Sequence, residues 1–229
     1  METRRKFIKQ AGAFGLFLPI YEVLRPLAYA QDVIYVKKKA AAGGSNPVTD
    51  DFNRANADPA GGNWTTLGTW GSLAISSNKL IPSTYGANSA AYYNAATPNA
   101  TQYTQCISTW DVTGGYLGPA VRCQAGARTC YALVPPNLIT LRVLKFVAGS
   151  FTELANLDAT LVSGVSVIKL SVSGVGATVT LEGFVNGSSV GTTTDTAGDR
   201  IVAAGSLGVF IDSGAVTGDT IDDWEGGWT

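Results

Sequence analysis

The sequence predicts an all-β protein, two antiparallel sheets stacked as a β-sandwich or jelly roll. Three observations predict it. At least twelve short segments read as strands, at spacings of roughly 8–12 residues. Several of them alternate apolar and polar residues with a period of two, and no stretch after residue 31 holds a 3.6-residue period over three turns. Gly is abundant, at 27 of 229 residues, and Ser and Thr are frequent, which suits turns between short strands more than long helices.

Taken in order, residues 1–30 read as an export signal and not as part of the fold. Arg4, Arg5, Lys6 and Lys9 precede an apolar stretch from Ala11 to Ile20, and Ala28 and Ala30 stand at the −3 and −1 positions of a cut before Gln31. That is the three-part layout of a secretory signal peptide. The apolar run is shorter than the ~20 residues a membrane span needs, and Pro19 and Pro26 oppose a continuous helix. The string Thr3-Arg4-Arg5-Lys6-Phe7-Ile8-Lys9 resembles the twin-arginine signal. Such a signal implies export of an already folded chain to the periplasm, the cell surface or the medium.

Gln31–Val36 is a short β-like segment, and Lys37–Lys39 with the Ala/Gly/Ser/Asn/Pro run behind them complete a flexible linker over 31–47. The domain is placed at 48–229. Its predicted strands centre on Trp64–Leu67, Leu73–Ile75, Ala91–Tyr93, Tyr103–Val112, Leu117–Gln124, Tyr131–Val134 and Ile139–Val147. Ile168, Leu170 and Val172 then alternate with Lys169, Ser171 and Ser173, the signature of a half-buried strand. Val179, Leu181 and Val185 repeat the pattern up to Asn186-Gly187, a type I′ hairpin signal. Ser188–Thr194 returns, and Leu207–Ile211 and Ile221–Trp224 close the set.

Composition excludes several chemistries. The chain has no histidine, so it has no Ser-His-Asp or Cys-His unit, no His-ligated zinc and no histidine pH switch. Removing residues 1–30 leaves 11 basic and 15 acidic residues. Without a basic stripe, nucleic acid is not the expected partner, and no second long apolar stretch predicts a span. Cys106, Cys123 and Cys130 would meet an oxidising compartment after export. Cys123 and Cys130 flank a six-residue turn, and a disulfide between them is the first expectation, with Cys106–Cys123 the alternative. Three thiols without His or a CxxC spacing make a poor metal or redox set.

The order of several strings carries a resemblance. Asp50-Asp51-Phe52-Asn53-Arg54, Gly62-Asn63-Trp64-Thr65, Gly68-Thr69-Trp70-Gly71 and Ile75-Ser76-Ser77-Asn78-Lys79-Leu80 are followed by Gly118-Pro119-Ala120-Val121-Arg122, Asn186-Gly187 and Ile221-Asp222-Asp223-Trp224. Over about residues 48–227 this resembles the concanavalin A-like lectin/glucanase jelly roll, in particular the laminin G-like modules of bacterial extracellular proteins. The resemblance implies two stacked antiparallel sheets with neighbouring first and last strands and one concave face. It further implies glycan binding, or an accessory or adhesive role, and in some relatives hydrolase or lyase activity. It also supports a structural Ca²⁺ joining the terminal strands, for which the clustered carboxylates of Asp50, Asp51, Asp222 and Asp223 are the candidate donors. The competing reading of those residues is turn hydrogen bonding.

The residues argue against catalysis. The Glu-x-Asp-x-Glu string of the related glucanases is absent, and after Gln31 only Glu153, Glu182 and Glu225 remain. A glycosidase needs two carboxylates about 5–10 Å apart, and only Asp223/Glu225 has a spacing of two. Trp64 and Trp70 are expected in the core. Trp110, Tyr92, Tyr116 and Tyr131 are candidate sugar platforms, with Arg122 and Arg142 as hydrogen-bonding partners, or as structural ions paired with a residue such as Asp111. The expectation is an exported, non-catalytic carbohydrate-binding or adhesion module. The alternatives are a surface assembly protein that binds other proteins and a divergent glycan-active enzyme.

Overall fold

The computed structural model describes residues 47–110 and 115–229. The export signal, Gln31–Val36, Lys37–Lys39 and Asp111 lie outside the described residues. Among the described residues there are fifteen strands and no helix. They are β1 (Val48–Asp50), β2 (Trp64–Thr66), β3 (Leu73–Ser76), β4 (Lys79–Pro82), β5 (Ser89–Tyr93), β6 (Gln102–Thr109), β7 (Leu117–Cys123), β8 (Cys130–Val134), β9 (Thr140–Val147), β10 (Ser150–Asp158), β11 (Val167–Ser173), β12 (Val179–Val185), β13 (Ser188–Asp195), β14 (Ser206–Ile211) and β15 (Thr220–Trp228). Eight form one sheet, ordered β13-β12-β11-β6-β15-β4-β3 with β1 beside β15. Seven form the other, ordered β10-β9-β8-β7-β14-β5-β2.

Alternation builds these strands as the pattern requires. Along β11 and β12 the aliphatic positions are buried and the positions between them are half-exposed. Asn186 and Gly187 both take positive φ, 52° and 81°, and turn β12 into β13. The two ends of the domain meet, with Val48 opposite Gly226 and Asp50 opposite Trp224. Between the sheets, Trp64 packs edge-on against Trp224 at 4.8 Å and against Tyr93 at 5.8 Å, with Phe52 at 5.7 Å. Asp50 ties this cluster to the chain start: its carboxylate accepts from Trp64 Nε1 at 2.7 Å, Arg54 Nη1 at 2.6 Å and the Phe52 amide at 2.8 Å.

A second apolar cluster lies on the other face of the seven-stranded sheet. Ala120, Ala132 and Leu144 share register across β7, β8 and β9 and belong to it, whereas Val121, Tyr131 and Val143 point between the sheets. Trp70 belongs to this outer cluster and not to the inter-sheet core. Its ring meets Phe146 at 5.1 Å and Phe210 at 5.5 Å, and those two rings stand 4.6 Å apart. Edge-to-face contacts of this kind add ~0.5–1.5 kcal/mol each beyond area burial.

The structure carries Cys106, Cys123 and Cys130 as buried free thiols, so the expected Cys123–Cys130 bond is not formed. The paired residues Ala120↔Ala132 and Val121↔Tyr131 would put Arg122, not Cys123, opposite Cys130. Arg122 has φ 51°, which interrupts the ladder and returns Cys123 to the face of Cys130. There the two thiols are neighbours, and burial pushes the Cys130 thiol well above its ordinary value, with Cys123 adding to the shift.

Candidate functional site

The six ligand candidates separate into two groups. Arg122, Tyr131 and Trp110 are buried, at 0%, 0% and 4% exposure. Arg122 stands at the end of β7, where three loops converge on it. Its Nη1 donates to the Ile201 carbonyl, and its Nη2 donates to those of Ala100 and Gly174, each at 2.6 Å. Burial pulls its guanidinium pKa down. Tyr131 donates to Asp195 Oδ2 at 2.8 Å and accepts from the Ile201 amide at 2.9 Å. Asp195 also faces the buried Lys145 ammonium at 3.2 Å, and Asp199 faces it at 2.6 Å. Trp110 is fixed by Ser163, which accepts from its amide and donates to its carbonyl. None of the three reaches a ligand surface.

Tyr92, Tyr116 and Arg142 lie on the outer face of the seven-stranded sheet, where both tyrosines pack half-buried against the Trp70 cluster. The Arg142 guanidinium sits over the Tyr116 ring at 5.6 Å, and its Nε is 3.3 Å from Glu153 Oε2, with both side chains about a third exposed. Glu153 comes from the edge strand β10. An irregularity between Glu153 and Ala155 moves Asn156 back onto Glu153's face, and Asn156 Nδ2 donates to Glu153 Oε1 at 2.5 Å. Phe151, two residues before Glu153 and therefore on the same face about 7 Å away, is 67% exposed. The result is a strip with an exposed ring at Phe151, then Glu153 and Asn156, then Arg142 stacked on Tyr116. Such a strip supplies apolar surface, hydrogen-bond donors and a carboxylate acceptor side by side.

The four aspartates do not assemble a cation site. Asp50 is engaged by Arg54, Trp64 and the Phe52 amide, Asp51 accepts from the Asn53 amide at 3.0 Å, and Asp222 accepts from the Asp223 amide at 2.8 Å. Among the described residues no three His, Cys, Asp or Glu side chains gather to hold a metal. The residues do not fit the calcium that the resemblance implies; the turn-hydrogen-bond reading accounts for Asp50, Asp51 and Asp222.

Two antiparallel sheets, adjoining terminal strands and the sequential run β7–β10 define a jelly-roll sandwich of the concanavalin A-like class. The chain is similar in structure to the carbohydrate binding module CBM66 from Bacillus subtilis (TM-score 0.51, 17% identity, covering 70% of this chain and 91% of that one). It is also similar to a Bacillus subtilis protein of unknown function with a galectin-like fold (TM-score 0.53, 13% identity, 81% and 97% coverage). A β-1,3-1,4-glucanase from a mouse hindgut metagenome aligns at TM-score 0.49 and 9% identity, over 79% of this chain and 98% of that one. No protein-family profile and no curated protein matches the sequence. No helix among the described residues is long and apolar enough to cross a membrane.

Proposed function

We propose that the protein is an exported, non-catalytic carbohydrate-binding module that holds a glycan along the Phe151–Glu153–Asn156–Arg142–Tyr116 strip. The observation that carries this reading is the exposed aromatic–Arg–carboxylate arrangement on one sheet face. A sugar lays its C–H face on Phe151 while Arg142, Asn156 and Glu153 exchange hydrogen bonds with its hydroxyls. The fold shared with a protein described as a carbohydrate binding module supports the reading. Glu153 is the strip's one carboxylate and has no acidic partner across it, so the two-carboxylate chemistry of glycoside cleavage has no place there. In an oxidising compartment, Cys123 and Cys130 are the thiols placed to join.

The test is retention on insoluble polysaccharides. Phe151→Ala and Arg142→Ala are each expected to weaken retention about tenfold, the loss typical of a central anchor, with unchanged melting temperature. Retention equal to wild type in both variants sinks the site. Release of reducing sugar from any polysaccharide the protein retains sinks the non-catalytic reading.

A further inference from the structure

The outer face of the eight-stranded sheet carries a separate constellation. The register places Phe184 and Glu182 of β12, Lys169 and Ser171 of β11, Tyr103 of β6 and Glu225 of β15 on one face. Ile168, Leu170 and Val172 point the other way, into the core. The Lys169 ammonium lies 4.2 Å from the centre of the Tyr103 ring and 5.0 Å from that of Phe184. Tyr103 is held in turn: its hydroxyl donates to Glu225 Oε1 at 2.7 Å. A side chain at Gly227 would come within 2.7 Å of the Tyr103 ring, so only glycine lets the ring lie against β15.

Beside these rings is a cleft of about 190 Å³, lined by Tyr103, Lys169, Ser171, Ser173, Phe184 and Trp228 among others. Among the described residues no acceptor holds a hydrogen bond from the Lys169 ammonium. A half-buried cation held over two rings thus stands at the wall of the cleft, where its ammonium can donate to a ligand. Burial pulls the Lys169 pKa down, and Glu225 and Glu182 oppose that pull.

We propose that this cleft is a second ligand site, distinct from the strip on the other sheet, and that it takes a single neutral sugar ring. Size sets the first part. A volume of about 190 Å³ lies below the ~300–1,000 Å³ of sites that enclose drug-sized ligands, which suits one sugar ring. Charge sets the second. An anionic sugar drawn to Lys169 enters the field of Glu182 and Glu225, which stand near the ammonium on the same sheet face without lining the cleft, and a cationic one meets Lys169 itself. A neutral polyol avoids both conflicts, because its hydroxyls can accept from Lys169 and exchange hydrogen bonds with Ser171 and Ser173. Phe184 and Trp228 offer apolar surface for the ring. With one site on each sheet, the module can bridge two glycan chains or grip one chain at two points, which raises avidity without a new contact.

Amide chemical-shift mapping with methyl glucoside, methyl galactoside, methyl mannoside, fructose and glucuronate tests the proposal. At least one neutral sugar should move the signals of Lys169, Ser171, Phe184 and Trp228, and glucuronate should bind more weakly than that sugar. Phe184→Ala and Lys169→Met should each weaken the cleft response about tenfold; Lys169→Met keeps the packing stem and removes only the donors. Arg142→Ala should leave the response unchanged, so failure of the strip and failure of the cleft are read separately. The proposal is overturned if no neutral sugar moves these signals, if glucuronate binds more tightly, or if Lys169→Met binds as wild type.

Discussion

Arg122 and Arg142 stand on β7 and β9 of the same sheet, with one strand between them, and have opposite surroundings. Arg122 is fully buried and surrounded by carbonyl oxygens from three loops. Arg142 is 38% exposed, lies on a tyrosine ring and keeps one carboxylate beside it. The first arginine closes one end of the sandwich by satisfying backbone groups that would otherwise be stranded. The second leaves donors facing solvent. What separates structure from recognition here is which face the strand presents and what the adjoining loops need, not residue type.

The contrast breaks most sharply at Arg122. Arg122→Ala would leave the carbonyls of Ala100, Gly174 and Ile201 without their donor inside the protein, a loss of about 3–5 kcal/mol by comparison with other buried polar networks. For a domain of this size that lowers the melting temperature by roughly 10 °C or more. Arg122→Lys should rescue little, since a single ammonium cannot reproduce the planar fork. Thermal melts of both variants beside Arg142→Ala, which should melt with wild type, check the comparison. Equal melts for Arg122→Ala and Arg142→Ala would abolish it.

The same buried end should show in the pH dependence of stability. Burial pushes the Tyr131 phenol up, and its bond to Asp195 adds to that shift. Burial alone would pull the Lys145 ammonium down, but Asp199 and Asp195 outweigh it and the net direction is up. Both groups therefore hold their protons more tightly in the folded chain. Their contribution is complete below the unfolded values, near pH 10, and is lost as pH rises through the folded ones. The melting temperature should be level from about pH 6 to 8, begin to fall as the buried Cys106 and Cys130 thiols add their own cost above about pH 8.5, and fall more steeply above about pH 10. Tyr131→Phe should destabilise the fold at neutral pH by about 1–3 kcal/mol, because Asp195 Oδ2 loses its hydroxyl donor while Lys145 and the Ala197 amide stay in place, and make the alkaline fall shallower. A fall of unchanged steepness would remove Tyr131 from the account.

Much of the frame was legible in the sequence, and the reasons for the rest are local. The alternation of β11 and β12 and the Asn186-Gly187 turn depend on neighbouring residues, so a linear reading finds them. Asp50, Phe52 and Trp64 were legible as a string, and their packing explains the string. Strand β10 was missed altogether. It is an edge strand whose irregularity after Glu153 breaks the period of two, and Glu, Ala and Asn lower its strand propensity. The candidate strip depends on that strand, so Phe151 and Asn156 went unnoticed and Glu153 was weighed only as a carboxylate without an acidic neighbour, while Tyr116 and Arg142 were named. Arg122 was misplaced for the opposite reason. Its partners are loop carbonyls that no residue type announces. The cleft residues Lys169 and Phe184 were visible as the polar side of an alternating pattern, but only the register across β12, β11, β6 and β15 brings them to Tyr103 and Glu225.

The smallest expected effect concerns the chain ends. A resident Ca²⁺ present at 100 times its dissociation constant would stabilise the fold by ~2.7 kcal/mol, so its removal would lower the melting temperature by several degrees. The structure instead secures the terminal strands by the pairing of β1 with β15 and by Asp50, whose oxygens are engaged by Arg54, Trp64 and the Phe52 amide. Chelation should therefore leave the melting temperature where it was, whereas Asp50→Ala should lower it, since Trp64 Nε1 loses its acceptor inside the core. A fall on chelation that added Ca²⁺ reverses, at unchanged ionic strength, would show that a bound cation stabilises the fold and would overturn this account.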